Sequence, residues 1–150
     1  MTTPRQEVLV AETPIRLRQR IETGRHVLVA DEPRSSGGED AGPDPYALLL
    51  AALGACTSMT LRLYADRKQW PLESITVRLS HERTHARDGV DCETKDDTRI
   101  DRITRVIGLG GPLTDEQKAR LMEIADRCPV HRSLMGPKRI VSRLAEARVR

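Results

Sequence analysis

The 150-residue sequence contains no phenylalanine, and its only aromatic residues of the Phe, Tyr and Trp types are Tyr46, Tyr64 and Trp70. So few rings argue against the aromatic surfaces on which proteins stack single-stranded nucleic acid. The net charge is +3, but no nucleic-acid-binding motif accompanies it, and we expect no nucleic-acid partner. The core must therefore be built mainly from leucine, isoleucine, valine and alanine.

Long apolar runs and targeting signals are also missing. The longest apolar run extends from Ala47 to Ala55, well short of the roughly 20 residues that span a bilayer. The first residues lack the apolar segment of a secretory signal. We therefore expect a cytoplasmic protein that does not enter a membrane. Because no repeat or linker divides the sequence, we predict a single domain covering residues 1–150.

Cysteine is scarce as well, with Cys56, Cys92 and Cys128 only. Three thiols in a cytoplasmic protein are better interpreted as core residues or reactive groups than as a disulfide framework. His131 follows Cys128 by three residues, and with the three cysteines it could form a thiolate-rich zinc site. No Cys-x-x-C motif supports that alternative, so we predict neither a metal nor a cofactor.

The central feature of the sequence is a long predicted helix between Asp44 and Trp70. Asp44 is a suitable N-cap and Pro45 suits the first helical position, where its missing N–H costs nothing. Trp70 precedes a proline and ends the helix. The spacing of apolar residues places Cys56 on a buried face, which it shares with Leu49, Leu53, Thr60 and Leu63.

Shorter elements surround this helix. Alternating apolar residues predict a β-meander over residues 7–30, with a turn at 22–25, and strands over 72–81 and 99–109. Asp88 and Gly89 form a hairpin signal between these last two strands. A glycine- and proline-rich loop covers 31–43. Thr114 opens a second helix with a capping box, and Arg139 to Leu144 predict a final strand. The fold class is α+β, with a mainly antiparallel sheet, a long central helix and a second helix.

Two motifs carry a resemblance to a known family. Residues 30–73 contain Asp-Glu-Pro, Gly-Gly and Gly-Pro-x-Pro-Tyr segments that lead into Leu-Gly-Ala-Cys-Thr at 53–57. Cys-Pro-Val-His occupies 128–131. In these motifs and their spacing the sequence resembles the OsmC/Ohr family of osmotically induced and organic-hydroperoxide-resistance proteins.

The resemblance implies an OsmC-like fold in an intertwined homodimer whose active sites draw on both chains. It also implies that Cys56 is the peroxidatic thiol that reduces a small organic hydroperoxide, and that Cys128 is the resolving thiol. The two would then form a disulfide, which a dithiol or a lipoylated protein reduces. The alternative is a non-enzymatic or redox-sensing dimeric binding protein that keeps the same scaffold.

In the family, a loop arginine and a glutamate early in the long helix hold the peroxidatic thiolate. Cys56 lies about three turns into its helix, beyond the reach of the positive helix end, and apolar surroundings disfavour a thiolate. A cation must therefore come close to it, and Arg34 is our first candidate, followed by Arg25. The position of the glutamate has Tyr46 and Ala47 instead. The carboxylate is thus left open among Glu39, Asp40 and Asp44.

Overall fold

The structure is a computed structural model that describes residues 6–85 and 99–145. Five strands and three α-helices lie in these ranges, in the order β1 (Leu9–Glu12), β2 (Gln19–Thr23), β3 (His26–Ala30), α1 (Pro45–Lys68), β4 (Ser74–His85), β5 (Arg99–Gly110), α2 (Asp115–Ala125) and α3 (Pro129–Met135). The predicted α+β class with antiparallel sheets and a long helix is confirmed. The predicted hairpin turn at Asp88 and Gly89 lies outside the described residues.

Strands β1, β2 and β3 form the predicted antiparallel meander in consecutive order. Val10 pairs with Ile21, and Ile21 pairs with Leu28 on the next strand. Gly24 adopts a φ of +56° in the turn between Thr23 and His26, a conformation that favours glycine. Strands β4 and β5 form a separate two-stranded sheet.

Helix α1 begins where the sequence predicts. The side chain of Asp44 accepts a hydrogen bond of 2.9 Å from the Ala47 backbone N–H, which satisfies one of the free donors of the first turn. The loop before the helix contains a short 3₁₀ turn, Arg34–Ser36. At its end Gly42 passes so close to the Val29 carbonyl that an added Cβ would overlap that oxygen.

The predicted buried face of α1 is wrong. Its fully or nearly fully buried residues are Leu53, Thr57, Leu61 and Ala65, spaced by four and therefore on one face. Leu49 and Leu63 are exposed instead, and Cys56 is half-buried at the edge of the buried face. Because the first half of the helix is apolar on all sides, its sequence pattern does not select one face.

Two compact units divide the described residues. The first contains the meander, the loop, the first turns of α1, the end of β4 and the beginning of β5. The second contains the rest of these three elements together with α2 and α3. Its core joins α1, α2 and the chain segments beside them through Leu61, Ala65, Leu72, Leu113, Leu121, Ile124 and Ala125. The prediction of a single domain over 1–150 stays a prediction.

Helix α2 has the predicted capping box. Thr114 accepts from the Gln117 backbone N–H at 3.1 Å, and the Gln117 side chain accepts from the Thr114 N–H at 3.0 Å. The final strand predicted from Arg139 to Leu144 is absent, because residues 137–145 carry no regular structure. The sequence analysis also missed α3, which starts directly after Cys128.

By length and composition alone, α1 is long and apolar enough to cross a membrane. Core helices of proteins that never enter a membrane pass the same criterion, so this is weak evidence. The expectation that the protein does not enter a membrane stays a prediction.

Candidate functional site

Cys56 lies in the middle of α1, within the second compact unit. It is half-buried and has a free thiol. The residue after it, Thr57, is fully buried and belongs to the stripe that faces the core. Cys56 is therefore at the border between the packed and the accessible sides of the helix, where a thiol can meet both core atoms and a small substrate.

Cys128 is the N-cap of α3 and is fully buried. Its backbone is extended, and its sulfur accepts a hydrogen bond of 3.3 Å from the His131 backbone N–H. Pro129 at the first helical position has no N–H to satisfy. The Cys-Pro-Val-His motif thus works locally as a helix start whose cap atom is sulfur.

The structure brings Cys128 against α1. Its Sγ lies 3.7 Å from Oγ1 of Thr57, and both residues have an exposed fraction of 0%. Thr57 directly follows Cys56, so the buried thiol contacts the turn of α1 that carries the half-buried one. Both cysteines belong to the same compact unit, and both are free.

Arg34, the predicted cation, begins the 3₁₀ turn of the loop and is exposed. It belongs to the first compact unit, whereas Cys56 belongs to the second. Its predicted role beside the Cys56 thiolate stays a prediction, as does the second candidate, Arg25, which is exposed in the turn between β2 and β3.

The loop that carries Arg34 is organised by Asp31, which is 2% exposed. The Asp31 carboxylate accepts backbone N–H groups of Glu32, Glu39 and Ala41 at 2.9, 3.2 and 3.2 Å. Nε of Arg18 lies 3.9 Å from the same carboxylate. Burial raises the pKa of this carboxyl, but the three N–H donors and the Arg18 charge together outweigh it, and the net pKa lies below the ordinary 3.8.

Two of the three open carboxylate candidates have partners of their own. Glu39 forms an ion pair of 2.6 Å with Arg18, and Asp44 caps α1. Asp40 is exposed and adopts a φ of +59°. The structure therefore assigns local structural contacts to Glu39 and Asp44.

The alternative zinc site receives no support from the contacts of His131. Its backbone N–H bonds the Cys128 sulfur, while its Nδ1 lies 3.9 Å from Oδ1 of Asp126. Within residues 6–85 and 99–145, no three His, Cys, Asp or Glu side chains converge in a way that could hold a metal ion. Cys92 lies outside these ranges.

A polar cluster at the start of α1 was missed by the sequence analysis. The Tyr46 ring stacks on His81 with 4.3 Å between ring centroids, and its hydroxyl accepts from Arg83 at 3.2 Å. His81 donates to Asp101 at 2.8 Å, and this bond is the main reason why the pKa of Asp101 is lowered. Tyr46, one of the two residues at the place of the family glutamate, is thus bound to β4 side chains.

The sequence analysis also missed Thr57, beside the candidate thiols, and the part that Asp31 plays in the loop of the first compact unit. Thr57 lies four residues after Leu53, which is the one sequence signal that it shares the core-facing stripe. Asp31 begins a glycine-rich loop, but nothing in the sequence distinguishes it from the other acidic residues there.

Comparison with known proteins relates the chain to one family. A sequence model described as OsmC-like protein matches residues 37–142. This range contains both cysteine motifs and most of the described elements. No curated protein matches the sequence.

Solved structures have the same fold. An OsmC-like protein from Mycoplasma pneumoniae is 17% identical and has a TM-score of 0.71, and the match covers 91% of this chain and 90% of the Mycoplasma chain. An organic hydroperoxide resistance protein from Legionella pneumophila is 18% identical with a TM-score of 0.65, and covers 91% and 93%. OhrB of Bacillus subtilis, also an organic hydroperoxide resistance protein, is 18% identical with a TM-score of 0.58, and covers 88% and 91%.

Proposed function

The chain belongs to the OsmC-like family, and from this membership we propose that it is a thiol-dependent peroxidase that reduces small organic hydroperoxides to alcohols. Cys56 is the peroxidatic residue in this proposal and Cys128 the resolving one. The proposed location is the cytoplasm, where thiols are kept reduced.

The reaction takes three balanced steps. The Cys56 thiolate attacks the terminal oxygen of the O–O bond, which gives Cys56 sulfenic acid and an alkoxide that takes up a proton to become the alcohol. The Cys128 thiol then displaces the hydroxyl group as water and forms the Cys56–Cys128 disulfide. A dithiol, such as that of a lipoylated protein, reduces the disulfide by exchange and becomes a disulfide itself.

The observation that carries the proposal is the contact between Cys128 and the Cys56-bearing turn of α1. The sulfur of Cys128 lies 3.7 Å from the side chain that follows Cys56. A disulfide requires Cα atoms within about 7 Å of each other, so two thiols far apart in sequence must meet at one place in the fold. The different exposures also suit the two roles, because a peroxide can approach half-buried Cys56 more easily than buried Cys128.

The test is a turnover assay with cumene hydroperoxide and a dithiol reductant. Wild type should form cumyl alcohol catalytically, Cys56→Ser should not, and Cys128→Ser should lose turnover while its Cys56 is progressively overoxidised. Mass spectrometry of the oxidised wild type should find Cys56 linked to Cys128. Absence of turnover in the fully reduced wild type, or equal turnover in Cys56→Ser, overturns the proposal.

The role proposed for Arg34 is tested in the same preparation. If its guanidinium stabilises the Cys56 thiolate, Arg34→Ala should slow alkylation of Cys56 near neutral pH and shift the pH at which alkylation becomes fast upward. Arg25→Ala is the matched control. The alkylated peptide containing Cys56 must be quantified by itself, since the other two cysteines also react.

One observation favours the alternative of a redox-sensing protein with little turnover. Tyr46 and Ala47 stand where relatives carry the helix glutamate, and Glu39 and Asp44 are engaged elsewhere. A sensor would form the Cys56–Cys128 disulfide once with added hydroperoxide but would not produce alcohol in multiple turnovers. The assay above therefore separates the two functions by the ratio of alcohol formed to protein present.

A further inference from the structure

Thr57 is a fully buried polar residue in the apolar stripe of α1. Its hydroxyl donates a hydrogen bond of 2.8 Å to the Leu53 carbonyl one turn earlier. A threonine hydroxyl has one proton but two lone pairs. With the proton directed at Leu53, the hydroxyl presents acceptor capacity to other neighbours.

The neighbour that needs an acceptor is the thiol of Cys128. Its sulfur lies 3.7 Å from Oγ1 of Thr57 and accepts the His131 N–H at 3.3 Å. We assign the Cys128 S–H as the donor to Thr57. The reduced thiol then has one partner for its proton and one for a lone pair, although it is completely removed from water.

Oxidation removes this arrangement. When Cys128 joins Cys56 in a disulfide, its sulfur no longer carries a proton, so it can no longer donate to Thr57. The S–H···O contact therefore stabilises the dithiol form and contributes nothing to the disulfide form. A group that stabilises only the reduced state makes the disulfide easier to reduce, because the two states are linked by one equilibrium.

We propose that Thr57 is a positioning residue that sets the redox equilibrium of the Cys56–Cys128 pair by holding the reduced Cys128 thiol. This rests on the proposed function, which supplies the hydroperoxide as oxidant and a dithiol as reductant. In the reducing step the dithiol gives up two electrons and two protons, the S–S bond breaks, and the proton on Cys128 regains its acceptor on Thr57.

The size of the effect follows from the usual net worth of one hydrogen bond, which corresponds to roughly a two- to tenfold change in an equilibrium constant. Because a thiol is a weak donor, the lower part of that range is expected. An effect of this size makes the disulfide easier to recycle without preventing its formation.

The experiment compares wild type, Thr57→Val and Thr57→Ser in mixtures of reduced and oxidised dithiothreitol. Valine keeps the shape of the side chain without the hydroxyl, whereas serine keeps the hydroxyl. The fraction of Cys56–Cys128 disulfide at equilibrium should rise in Thr57→Val, by roughly two- to tenfold in the equilibrium constant, and Thr57→Ser should resemble wild type. Ser58→Ala, which removes a neighbouring hydroxyl of α1, is the control and should have no effect.

A second measurement follows Cys128 alone. In a Cys56→Ser background, Thr57→Val should speed alkylation of Cys128, because the buried thiol has lost a side-chain partner, and Thr57→Ser should not. If the substitutions acted only by destabilising the fold, the alkylation rates of Cys128 in both variants would follow their unfolding free energies. Urea titration measures those free energies separately.

Failure of this inference and failure of the proposed function give different results. If wild type forms the disulfide but Thr57→Val has the same redox equilibrium, the role of Thr57 is overturned and the peroxidase proposal stands. A disulfide whose equilibrium responds to Thr57→Val, without peroxide turnover, overturns only the peroxidase. If wild type forms no disulfide under oxidising conditions, both the resolving role of Cys128 and the role of Thr57 in it are overturned.

Discussion

Asp31 is a residue whose charge and burial act in opposite directions. Burial alone disfavours a carboxylate, yet three backbone N–H groups and Arg18 surround this one, and its pKa is lowered. A carboxyl group with a lowered folded-state pKa stabilises the fold above its ordinary pKa and loses that contribution as the pH falls through the folded value. Asp31 therefore ties the shape of the Arg34 loop to pH.

The first prediction at this scale concerns Asp31→Asn. Asparagine has one carbonyl oxygen in place of two carboxylate oxygens, so it cannot accept from all three N–H groups in the same way. It also leaves Arg18 without its buried negative neighbour. We expect a lower urea midpoint than wild type near neutral pH. The difference should shrink as the pH falls from the ordinary pKa of 3.8 through the lower pKa of folded Asp31, where the wild-type carboxylate is itself protonated. Urea titrations at several pH values measure this.

Asp40→Asn is the control for that prediction. Asp40 belongs to the same loop but is exposed, and asparagine tolerates its left-handed backbone about as well as aspartate does. Its midpoint should follow that of wild type at every pH. Equal losses in the two variants would contradict the role given to Asp31.

The two candidate thiols, Cys56 and Cys128, could be predicted from the sequence, because each lies in a contiguous and distinctive motif. The contact between Cys128 and Thr57 was not predictable. Thr57 faces Cys128 only because α1 buries the stripe of Leu53, Thr57, Leu61 and Ala65, and the neighbouring stripe through Cys56 is equally apolar in the sequence. A shift of one residue around the helix, about 100°, separates the predicted from the observed face.

Among the elements, α3 shows how the site motif acts as local structure. With seven residues it is too short to be stable by itself, and its start depends on the Cys128 cap. The apolar residues near the chain end predicted a strand there, but Ile140 and Leu144 are 91% and 98% exposed. Helix α3 was missed because seven residues give too few turns for a periodic pattern, whereas the capping box of α2 is a strictly local signal and was found.

The prediction at the element scale compares two replacements of Cys128. Serine is a preferred N-cap, and its hydroxyl can replace the thiol in accepting from the His131 N–H and donating to Thr57. Alanine can do neither. Cys128→Ala should therefore have an unfolding free energy about 1 kcal/mol lower than Cys128→Ser. Urea denaturation of the fully reduced proteins measures the difference.

Ser133→Ala serves as the reference for that comparison. Ser133 is exposed in the same helix, and its replacement should leave the unfolding free energy nearly unchanged. If the alanine and serine variants at Cys128 are equally stable, a hydrogen-bond acceptor at the N-cap does not contribute to α3, and the interpretation of Cys-Pro-Val-His as a capped helix start is wrong.

For the whole molecule, the main question is what covers its exposed apolar surfaces. In the meander, Val27, Leu28 and Val29 are all exposed, although successive residues of a strand point to opposite faces. Both faces of that strand are thus uncovered in the single chain. Large contiguous apolar surfaces on a soluble protein usually mark an interaction site. The fold class was predictable from the order of elements, but a partner chain is not encoded in any local pattern.

Helix α1 has a similar uncovered stripe. Ala55, Met59 and Leu63 are exposed and recur every four residues on the side of α1 opposite the buried stripe, and Met59 and Leu63 are 65% and 66% exposed. The family resemblance implies an intertwined homodimer, in which a second copy of the chain would cover such surfaces. We therefore propose that Met59 packs in the dimer interface.

Met59→Glu tests this proposal. A carboxylate buried in an apolar interface without a partner costs several kcal/mol, and each 1.4 kcal/mol corresponds to a tenfold weaker association. We expect dimer dissociation to become at least about a hundredfold easier, measured by sedimentation equilibrium over a range of protein concentrations. Ala119→Glu places the same charge on the exposed side of α2 and should leave association unchanged. If both variants and wild type sediment as one identical species, Met59 does not lie in an interface, and the exposed stripe of α1 needs another explanation.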